Sequence, residues 1–330
     1  MREFARVIGQ KWLRVTVSVV ISGAMMWLAL RRVDVGELRN SLGSTSLRWL
    51  GMGLLFYAIE LVLRTERWRR ILLPVQPLKP RDVGTALIVG YAANNVLPAR
   101  LGELFRADFL RRHQRISRAA VIGTIVVERL LDMGVVIACT IAGMMLSRSV
   151  SSFPSYLAWG ITSAVAACLV AIVVLACLAT TRFQAFGSRH FAWLARLVEA
   201  MVSGLRSVRR ARLFATVITL SCAIWIVNGV STWAVLNAVG VDAGVAIVLL
   251  VIGVSGIAAV IPSAPASLGT LQLAFVISLT VGGFAPSAGF TAASLIQVFF
   301  LGSATLVGAA LYLLRNSQSA SRVRDAAIQR

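Results

Sequence analysis

The chain has 330 residues, of which 58% are hydrophobic and 14% are charged, and its formal net charge is +20 at pH 7. Charged residues make up about 25% of an ordinary soluble domain, so the composition excludes that class and predicts an all-α polytopic membrane protein. The basic residues lie in short segments beside apolar stretches, without a nucleic-acid-binding motif. We therefore expect no nucleic-acid partner and interpret them by the positive-inside rule.

Seven apolar stretches reach, or nearly reach, the roughly 20 residues that a transmembrane helix needs. They are residues 12–30, 47–63, 119–146, 156–179, 213–236, 243–261 and 290–314. Arginine is abundant in the segments 1–14, 64–81, 100–118, 182–212 and 315–330. This pattern predicts that all five segments, both termini included, are cytoplasmic and that residues 1–330 form a single multi-pass domain of the cell inner membrane.

A first broken helix is predicted in residues 82–118. The apolar part of this segment has arginine-rich sequence on both sides, so both of its ends are expected in the cytoplasm. A re-entrant hairpin that breaks at Asn94, Asn95 and Pro98 meets this requirement. Asparagine side chains can satisfy the backbone groups that a broken helix frees at membrane depth. The chain would return at Arg100.

The long helix at residues 119–146 contains Glu128, Arg129 and Asp132 in an otherwise apolar sequence. Residues four apart share one face of a helix, so the two carboxylates lie together. Each charge at the centre of a membrane helix costs on the order of 3 kcal/mol. The carboxylates therefore need cationic partners, which could come from the hairpin exit or from Arg129 itself.

Arg100, Glu103 and Arg106 in the hairpin exit share one side of a helix at a spacing of three residues. One interpretation is structural: ion pairs hold the hairpin to the long helix. The other is functional: Arg100, Arg106 and Arg129 bind the phosphate of a lipid headgroup. In that case Glu103, Glu128 and Asp132 serve as charge-pairing or proton-responsive groups.

A second broken helix is predicted in residues 243–284. The sequence PASLGTLQLA that begins at Pro265 repeats the pattern of PARLGELFRA at Pro98. The placement of the basic segments makes this hairpin enter from the opposite face of the membrane, as in an inverted repeat. Two full spans would also leave both ends of the segment on one side of the membrane, and they stay open as an alternative. Cavity and hairpin residues are expected at Pro262, Pro265, Ser267, Gly269 and Gln272, besides Asn94, Asn95, Pro98 and Gly102 in the first copy.

Three motifs in order carry a family resemblance: NxxPxRxGExxR from Asn95, ERLLD from Glu128 and PSAPASLGTLQ from Pro262. Together they resemble the flippase-like transmembrane region of lysylphosphatidylglycerol synthases. The resemblance implies a bundle with re-entrant helices that moves or presents polar lipids. The family often has PGGxGxxE in the last motif, where this chain has Ala266, Ser267 and Gln272, so an acidic partner is missing there.

The resemblance predicts translocation, by flipping or scrambling, of a polar phospho- or glycolipid. Partners would be membrane lipids with phosphate-bearing headgroups, and we expect no cofactor and no metal. Two alternatives stay open: an integral-membrane enzyme with Glu128 or Asp132 as general base, and a scaffold for a separate lipid synthase. Sixteen residues follow Leu314, which predicts a stand-alone member without the synthase domain. The sequence leaves the oligomeric state open, a homo-oligomer included.

Overall fold

The computed structural model describes residues 19–97, 101–147, 211–261 and 263–328, with Thr16 and Ser163 as isolated positions. All regular elements within these ranges are helices, as the composition predicts. The segment 1–14, the stretch 156–179, nearly all of 182–212, and the residues Pro98, Arg100 and Pro262 lie outside the described part, so the predictions made for them stay predictions.

We number the α-helices in chain order. They are α1 (Val19–Leu30), α2 (Val35–Gly43), α3 (Leu47–Leu72), α4 (Pro80–Val96), α5 (Gly102–Gln114), α6 (Arg118–Leu146), α7 (Ala211–Ala238), α8 (Val245–Ala258), α9 (Thr270–Val281), α10 (Pro286–Leu295) and α11 (Gly302–Ile328). A π-helical segment, Ile296–Leu301, joins α10 to α11 without a break.

Local sequence explains several helix starts. Pro80 and Pro286 stand in the first turns of α4 and α10, where proline has no hydrogen bond to lose. Ser117 caps α6 by accepting a hydrogen bond from the backbone N–H of Ala120, which satisfies a donor that a helix start leaves without a partner. The Asp34 carboxylate caps α2 in the same way through Glu37.

Among the described helices, the segments Arg212–Ala238 and Pro286–Arg315 are long and apolar enough to cross a membrane. The pair α2 and α3, which is bent by 81°, would add a third crossing if it is one span. Helix α6 has 29 residues, but its interior carries the charged groups noted above. These charged groups can be buried only because side chains from neighbouring helices pair with them.

Two helix pairs are interrupted near the positions that the sequence predicts. The limbs α4 and α5 have 17 and 13 residues, and α8 and α9 have 14 and 12. At 1.5 Å per residue the limbs measure roughly 18 to 26 Å, less than the roughly 30 Å of a hydrocarbon core. The two limbs of each pair pack against each other, so each pair is a helical hairpin.

Helices from the first half of the chain pack against helices from the second half. Helix α3 packs on α7, α4 packs on α11, and α8 packs on α6. Glycines permit close approach: a Cβ at Gly253 would lie 2.2 Å from the Thr140 Oγ1 atom, and one at Gly308 would lie 2.5 Å from the Ala92 Cβ atom. Each hairpin is therefore held by the long helix of the other half.

Hydrophobic packing follows the same division. One core cluster is centred on α4, α5 and the adjoining parts of α3 and α6, and includes Leu87 and Leu110. The other is centred on α7 to α10 and includes Val251 and Leu279. The breaks and the charged residues of α3 and α6 lie where these two clusters meet.

The cytoplasmic position of residues 64–81 stays a prediction, and the first part of this segment is helical. Helix α3 continues to Leu72, and both Arg67 and Trp68 are fully buried. In a sequence, arginines at the end of an apolar stretch indicate the exposed end of a membrane span. Here an acidic partner on α6 neutralises Arg67, so the helix can continue into the protein interior.

Candidate functional site

A cavity of about 280 Å³ lies between the two breaks. Of the predicted site residues, Asn94, Asn95, Glu103, Arg129 and Ser267 line it. Helix α3 adds a further set of lining side chains, and the second break contributes mostly small ones. The additional lining residues are Tyr57, Glu60, Leu61, Arg64, Tyr91, Leu97, Ala259, Ser263, Ala264, Ala266 and Leu301.

Glu60 and Arg64 form an ion pair on one side of the cavity. The Arg64 Nε atom lies 2.7 Å from the Glu60 Oε1 atom, and the side chains are 12% and 4% exposed. Asn228 on α7 donates a hydrogen bond of 3.0 Å to the other carboxylate oxygen of Glu60. The Arg64 guanidinium also lies 5.6 Å from the centre of the Trp225 ring. Both ends of this pair are therefore fixed from neighbouring helices.

Glu103 and Arg129 form the second ion pair of the cavity. The Arg129 Nε atom lies 2.8 Å from the Glu103 Oε1 atom, and the side chains are 37% and 31% exposed. Because Glu103 begins α5 and Arg129 lies in α6, the pair ties the first hairpin to the long helix. We call Glu60–Arg64 and Glu103–Arg129 the cavity pairs.

Two further ion pairs lie behind the cavity, and we call them the buried pairs. Arg67 contacts both oxygens of Asp132, at 2.8 and 3.2 Å. Arg106 contacts both oxygens of Glu128, at 2.9 and 3.5 Å. Two-pronged contacts of this kind give an arginine a fixed orientation as well as a stronger interaction.

Trp68 holds the second buried pair in place. The Arg106 guanidinium lies 3.2 Å from the centre of the Trp68 ring, an arrangement that suits the planar cation. The indole N–H of Trp68 donates a hydrogen bond of 3.1 Å to Thr124 on α6. Arg106 is only 1% exposed, and it does not belong to the cavity lining.

Asp132 links the two sets of pairs. Besides its contact with Arg67, its Oδ2 atom lies 3.6 Å from an Arg64 nitrogen and 3.7 Å from an Arg129 nitrogen. One carboxylate therefore stands among three guanidinium groups. Because two of these groups line the cavity, a change in charge there is felt by the buried pairs.

The charges in this network balance when all groups are ionised. Four arginines face four carboxylates across the cavity pairs and the buried pairs. The structural interpretation of the sequence predicted ion pairs between α5 and α6, and both Glu103–Arg129 and Arg106–Glu128 are found. Sequence reasoning missed Arg64 and Arg67 as partners, although their spacing from Glu60 puts all three on one helical face.

The first break is held by its two asparagines. The Asn94 side-chain oxygen accepts a hydrogen bond of 2.8 Å from the backbone N–H of Gly102. The Asn95 side-chain amide donates to the Leu301 carbonyl oxygen at 3.1 Å and to the Thr305 hydroxyl at 3.0 Å. A Cβ at Gly102 would lie 2.3 Å from the Gly90 carbonyl oxygen, so only glycine permits this crossing of α4 and α5.

The second break has an unusual backbone. A short 3₁₀ turn spans Pro265–Ser267, and positive φ values occur at Ala266 (56°), Ser267 (55°) and Gly269 (82°). This left-handed region favours glycine. The two positions at which family members often have glycine are therefore positions where this chain places a side chain in a strained conformation.

Gln272 stands where the family often has glutamate, and it is buried. Its oxygen accepts a hydrogen bond of 2.8 Å from the Gly269 backbone N–H, and its amide donates to the Gln297 side-chain oxygen. The Gln297 amide in turn donates to the Ala266 carbonyl oxygen at 3.0 Å. A neutral amide chain thus holds the second break, and a carboxylate is not needed for it.

The π-helical segment contacts both breaks. Gln297 bonds the second break, and the Leu301 carbonyl oxygen accepts from Asn95 in the first. A π-helical turn leaves backbone carbonyls out of the usual ladder, and such turns are frequent at functional sites. The segment lies between the two breaks and joins them through side chains. In the part of the chain that the structure describes, no group of three or more His, Cys, Asp or Glu side chains could hold a metal ion.

A family model described as the lysylphosphatidylglycerol synthase transmembrane region matches residues 15–308. The chain belongs to this family. Its family and its apolar helices make it a membrane protein. The resemblance carried by the three sequence motifs is thereby confirmed.

Curated relatives come from archaea. Glycosyltransferase AglD of Haloferax volcanii is 25% identical over 333 aligned residues, which cover 89% of this chain and 53% of AglD. A UPF0104 membrane protein of Methanothermobacter thermautotrophicus is 25% identical, and the match covers 90% of this chain and 94% of that protein. This chain therefore spans about half the length of AglD but nearly the whole length of the second relative. No solved structure matches it.

Proposed function

We propose that the protein translocates a polar phospho- or glycolipid across the cell inner membrane, and that the lipid headgroup passes through the cavity between the two breaks. The observation that carries this proposal is a charged cavity lined by non-helical backbone from both hairpins. Non-helical backbone and ionised side chains persist at membrane depth where they line a watery cavity. Transporters place their substrate sites at such broken helices.

Contacts between helix ends support the topology on which the proposal depends. Arg315, where the apolar span Pro286–Arg315 ends, pairs with Asp82 at the start of α4, and we assign both positions to the cytoplasmic side. Ser46 before α3 bonds the Ala238 carbonyl at the end of α7, and Glu37 on α2 bonds Ser287 at the start of α10. We assign Glu37, Ser46, Ala238 and Ser287 to the outer side.

Helix packing supports an inverted repeat. Exchange of the two halves converts the α4–α11 contact into the α8–α6 contact and keeps α3 against α7. Each limb of the hairpins is shorter than the hydrocarbon core, as described above. Two re-entrant hairpins from opposite faces account for both observations, and their breaks would then meet near the midplane.

Of the two predicted arginines that the structure describes, Arg129 lines the cavity and Arg106 does not, and we assign headgroup binding to Arg129 and Arg64. Arg106 is held between Glu128 and Trp68, so we assign it a positioning role instead. Glu128 and Asp132 contact arginines in the same way and do not line the cavity. A carboxylate fixed by a guanidinium is a poor general base, which favours translocation over the enzyme alternative.

The test is a translocation assay in vesicles with fluorescent phospholipids and a fluorescent glycolipid. Arg64→Gln and Arg129→Gln should each lower the translocation rate roughly 10- to 100-fold, because a hydrogen bond to a charged group contributes about 1.5 to 3 kcal/mol. The control is Arg111→Gln, which removes an arginine that is 57% exposed and lies outside the cavity. Wild-type rates in both cavity variants would overturn the proposed site. A chemically altered lipid would favour the enzyme.

A further inference from the structure

The cavity has a closed end and an open end. Glu60 and Arg64 are 4% and 12% exposed, whereas Glu103 and Arg129 are 31% and 37% exposed. A headgroup that enters past the exposed pair therefore ends its path at the enclosed pair. The chemical groups that can contact this enclosed pair therefore determine which headgroups fit into the whole cavity.

The enclosed Glu60–Arg64 pair carries no net charge. Arg64 contacts Glu60 and Asp132, and the network of four arginines and four carboxylates is neutral as a whole. An anionic phosphate on Arg64 would have to displace Glu60 and leave that carboxylate buried without its cation. Breaking a buried pair in this way costs about 3 to 5 kcal/mol. The closed end therefore disfavours a group that carries a net charge.

The amides of Asn94 and Asn95, which line the same cavity, offer one donor and one acceptor. Asn94 uses its oxygen to accept from Gly102, which leaves its Nδ2 group to donate to a ligand. Asn95 uses its Nδ2 group for Leu301 and Thr305, which leaves its oxygen to accept. A hydroxyl group is both a donor and an acceptor, so the two adjacent side chains complement it.

Hydroxyl and aromatic groups complete the surroundings. Tyr57, Tyr91, Ser263 and Ser267 line the same cavity, and each can donate to or accept from a ligand hydroxyl. The volume of about 280 Å³ lies near the lower limit of roughly 300 Å³ for ligand pockets. It suits a single headgroup unit and excludes a long oligomer.

We propose that the closed end of the cavity binds the uncharged, hydroxyl-bearing end of a lipid headgroup, a sugar or a short polyol. This inference rests on the proposed function and specifies its substrate class. A phosphate, where the lipid has one, remains at the exposed Glu103–Arg129 pair. A phosphate alone is insufficient, and an ammonium group in place of the hydroxyls is not accepted.

The experiment measures binding and translocation separately with four lipids that share the same acyl chains: a monohexosyl diacylglycerol, phosphatidylglycerol, phosphatidic acid and phosphatidylethanolamine. Native mass spectrometry of the detergent-solubilised protein gives binding, and vesicles give translocation. The hexosyl lipid and phosphatidylglycerol should bind at least about tenfold more tightly than the other two lipids. Equal or tighter binding of phosphatidic acid would overturn the inference.

A charge-changing variant gives the sharper test. Glu60→Gln removes one carboxylate and gives the cavity a net positive charge, so the preference should shift toward phosphatidic acid by about tenfold or more. Glu66→Gln, on the same helix but outside the cavity lining, is the matched control and should leave the preference unchanged. A Glu60→Gln protein that keeps the wild-type preference contradicts the inference.

The two proposals fail in different ways. Selective binding of the hydroxyl-bearing lipids without translocation of any lipid would refute the proposed function and support the selectivity of the cavity. Translocation of all four lipids at similar rates, together with equal binding, would support the proposed function and refute the selectivity. The arginine variants described above report on the first proposal, and Glu60→Gln reports on the second.

Discussion

The cavity pairs and the buried pairs use the same residue types, an arginine and a carboxylate. They differ in their surroundings: the buried pairs have side chains that are at most 8% exposed, whereas one cavity pair is more than 30% exposed. A buried pair fixes helices to one another, because loss of one partner leaves a charge in the protein interior. The exposed Glu103–Arg129 pair can exchange a partner with a ligand, because solvent replaces part of the interaction that is lost.

The largest expected effect on stability follows from the loss of a buried pair. Arg67→Met should lower the free energy of unfolding by about 3 to 5 kcal/mol, because Asp132 then loses its closest cation in the interior. Thermal unfolding of the protein in detergent, followed by tryptophan fluorescence, measures the change. The control is Arg70→Met, which removes a 39% exposed partner of Glu66 and should cost at most about 1 kcal/mol. Equal effects would show that burial does not distinguish these pairs.

A second test concerns the hairpin that carries Glu103 and Arg106. Gly102→Ala would place a Cβ 2.3 Å from the Gly90 carbonyl oxygen and 2.5 Å from the Asn94 backbone nitrogen, so α4 and α5 must separate. We expect a cost of about 1 to 3 kcal/mol or more, together with slower translocation. Gly134→Ala on α6, where a Cβ meets nothing within 4 Å, is the matched control. A stable Gly102→Ala protein with normal transport would contradict the described crossing.

Loss of the exposed Glu103–Arg129 pair should affect translocation more than stability, unlike loss of a buried pair. Glu103→Gln should change the unfolding free energy by at most about 1 kcal/mol, since the pair is partly exposed and screened. It should nevertheless change the translocation rate, because Arg129 loses the carboxylate that orients it. Unfolding and translocation are measured on the same preparation. A large loss of stability would place this pair with the buried ones.

The smallest expected effect is a gain. Ser267 has a φ of 55°, a region that costs a residue with a side chain about 1 to 2 kcal/mol. Ser267→Gly removes this strain but adds freedom to the unfolded chain, so we expect a net gain of at most about 1 kcal/mol. Thermal unfolding measures it, and Ser255→Gly within α8 should instead destabilise. A destabilised Ser267→Gly protein would show that the Ser267 hydroxyl contributes more stabilising free energy than the positive φ of this residue costs.

The positions of the breaks could be predicted from sequence because they depend on local chemistry. Asn94 and Gly102 are residues that end helices or permit close approach, and they lie on either side of the first break, in the last turn of α4 and at the start of α5. Family glycines at the positions of Ala266 and Ser267 likewise indicate the positive φ values found there. Short-range preferences of this kind are visible in a few adjacent letters.

The partners of the charged residues could not be predicted in full because they come from distant helices. Arg67 follows an apolar stretch, as an exposed boundary arginine does, and its burial is favourable because Asp132 and Glu128 on α6 contact it. The same uncertainty applies to Arg106, whose sequence position suits headgroup binding but whose surroundings hold it against Trp68. The π-helical segment has no sequence signal that we recognise, since its role depends on what Gln297 contacts.

The π-helical segment gives the two breaks a common attachment. Gln297 and Leu301 are four residues apart on one continuous helix, and each is bonded to a different hairpin. A rotation or shift of this helix therefore displaces both hairpin tips at the same time and in a fixed relation. Under the proposed function, such a coupled movement would let the cavity open toward one side of the membrane while it closes toward the other.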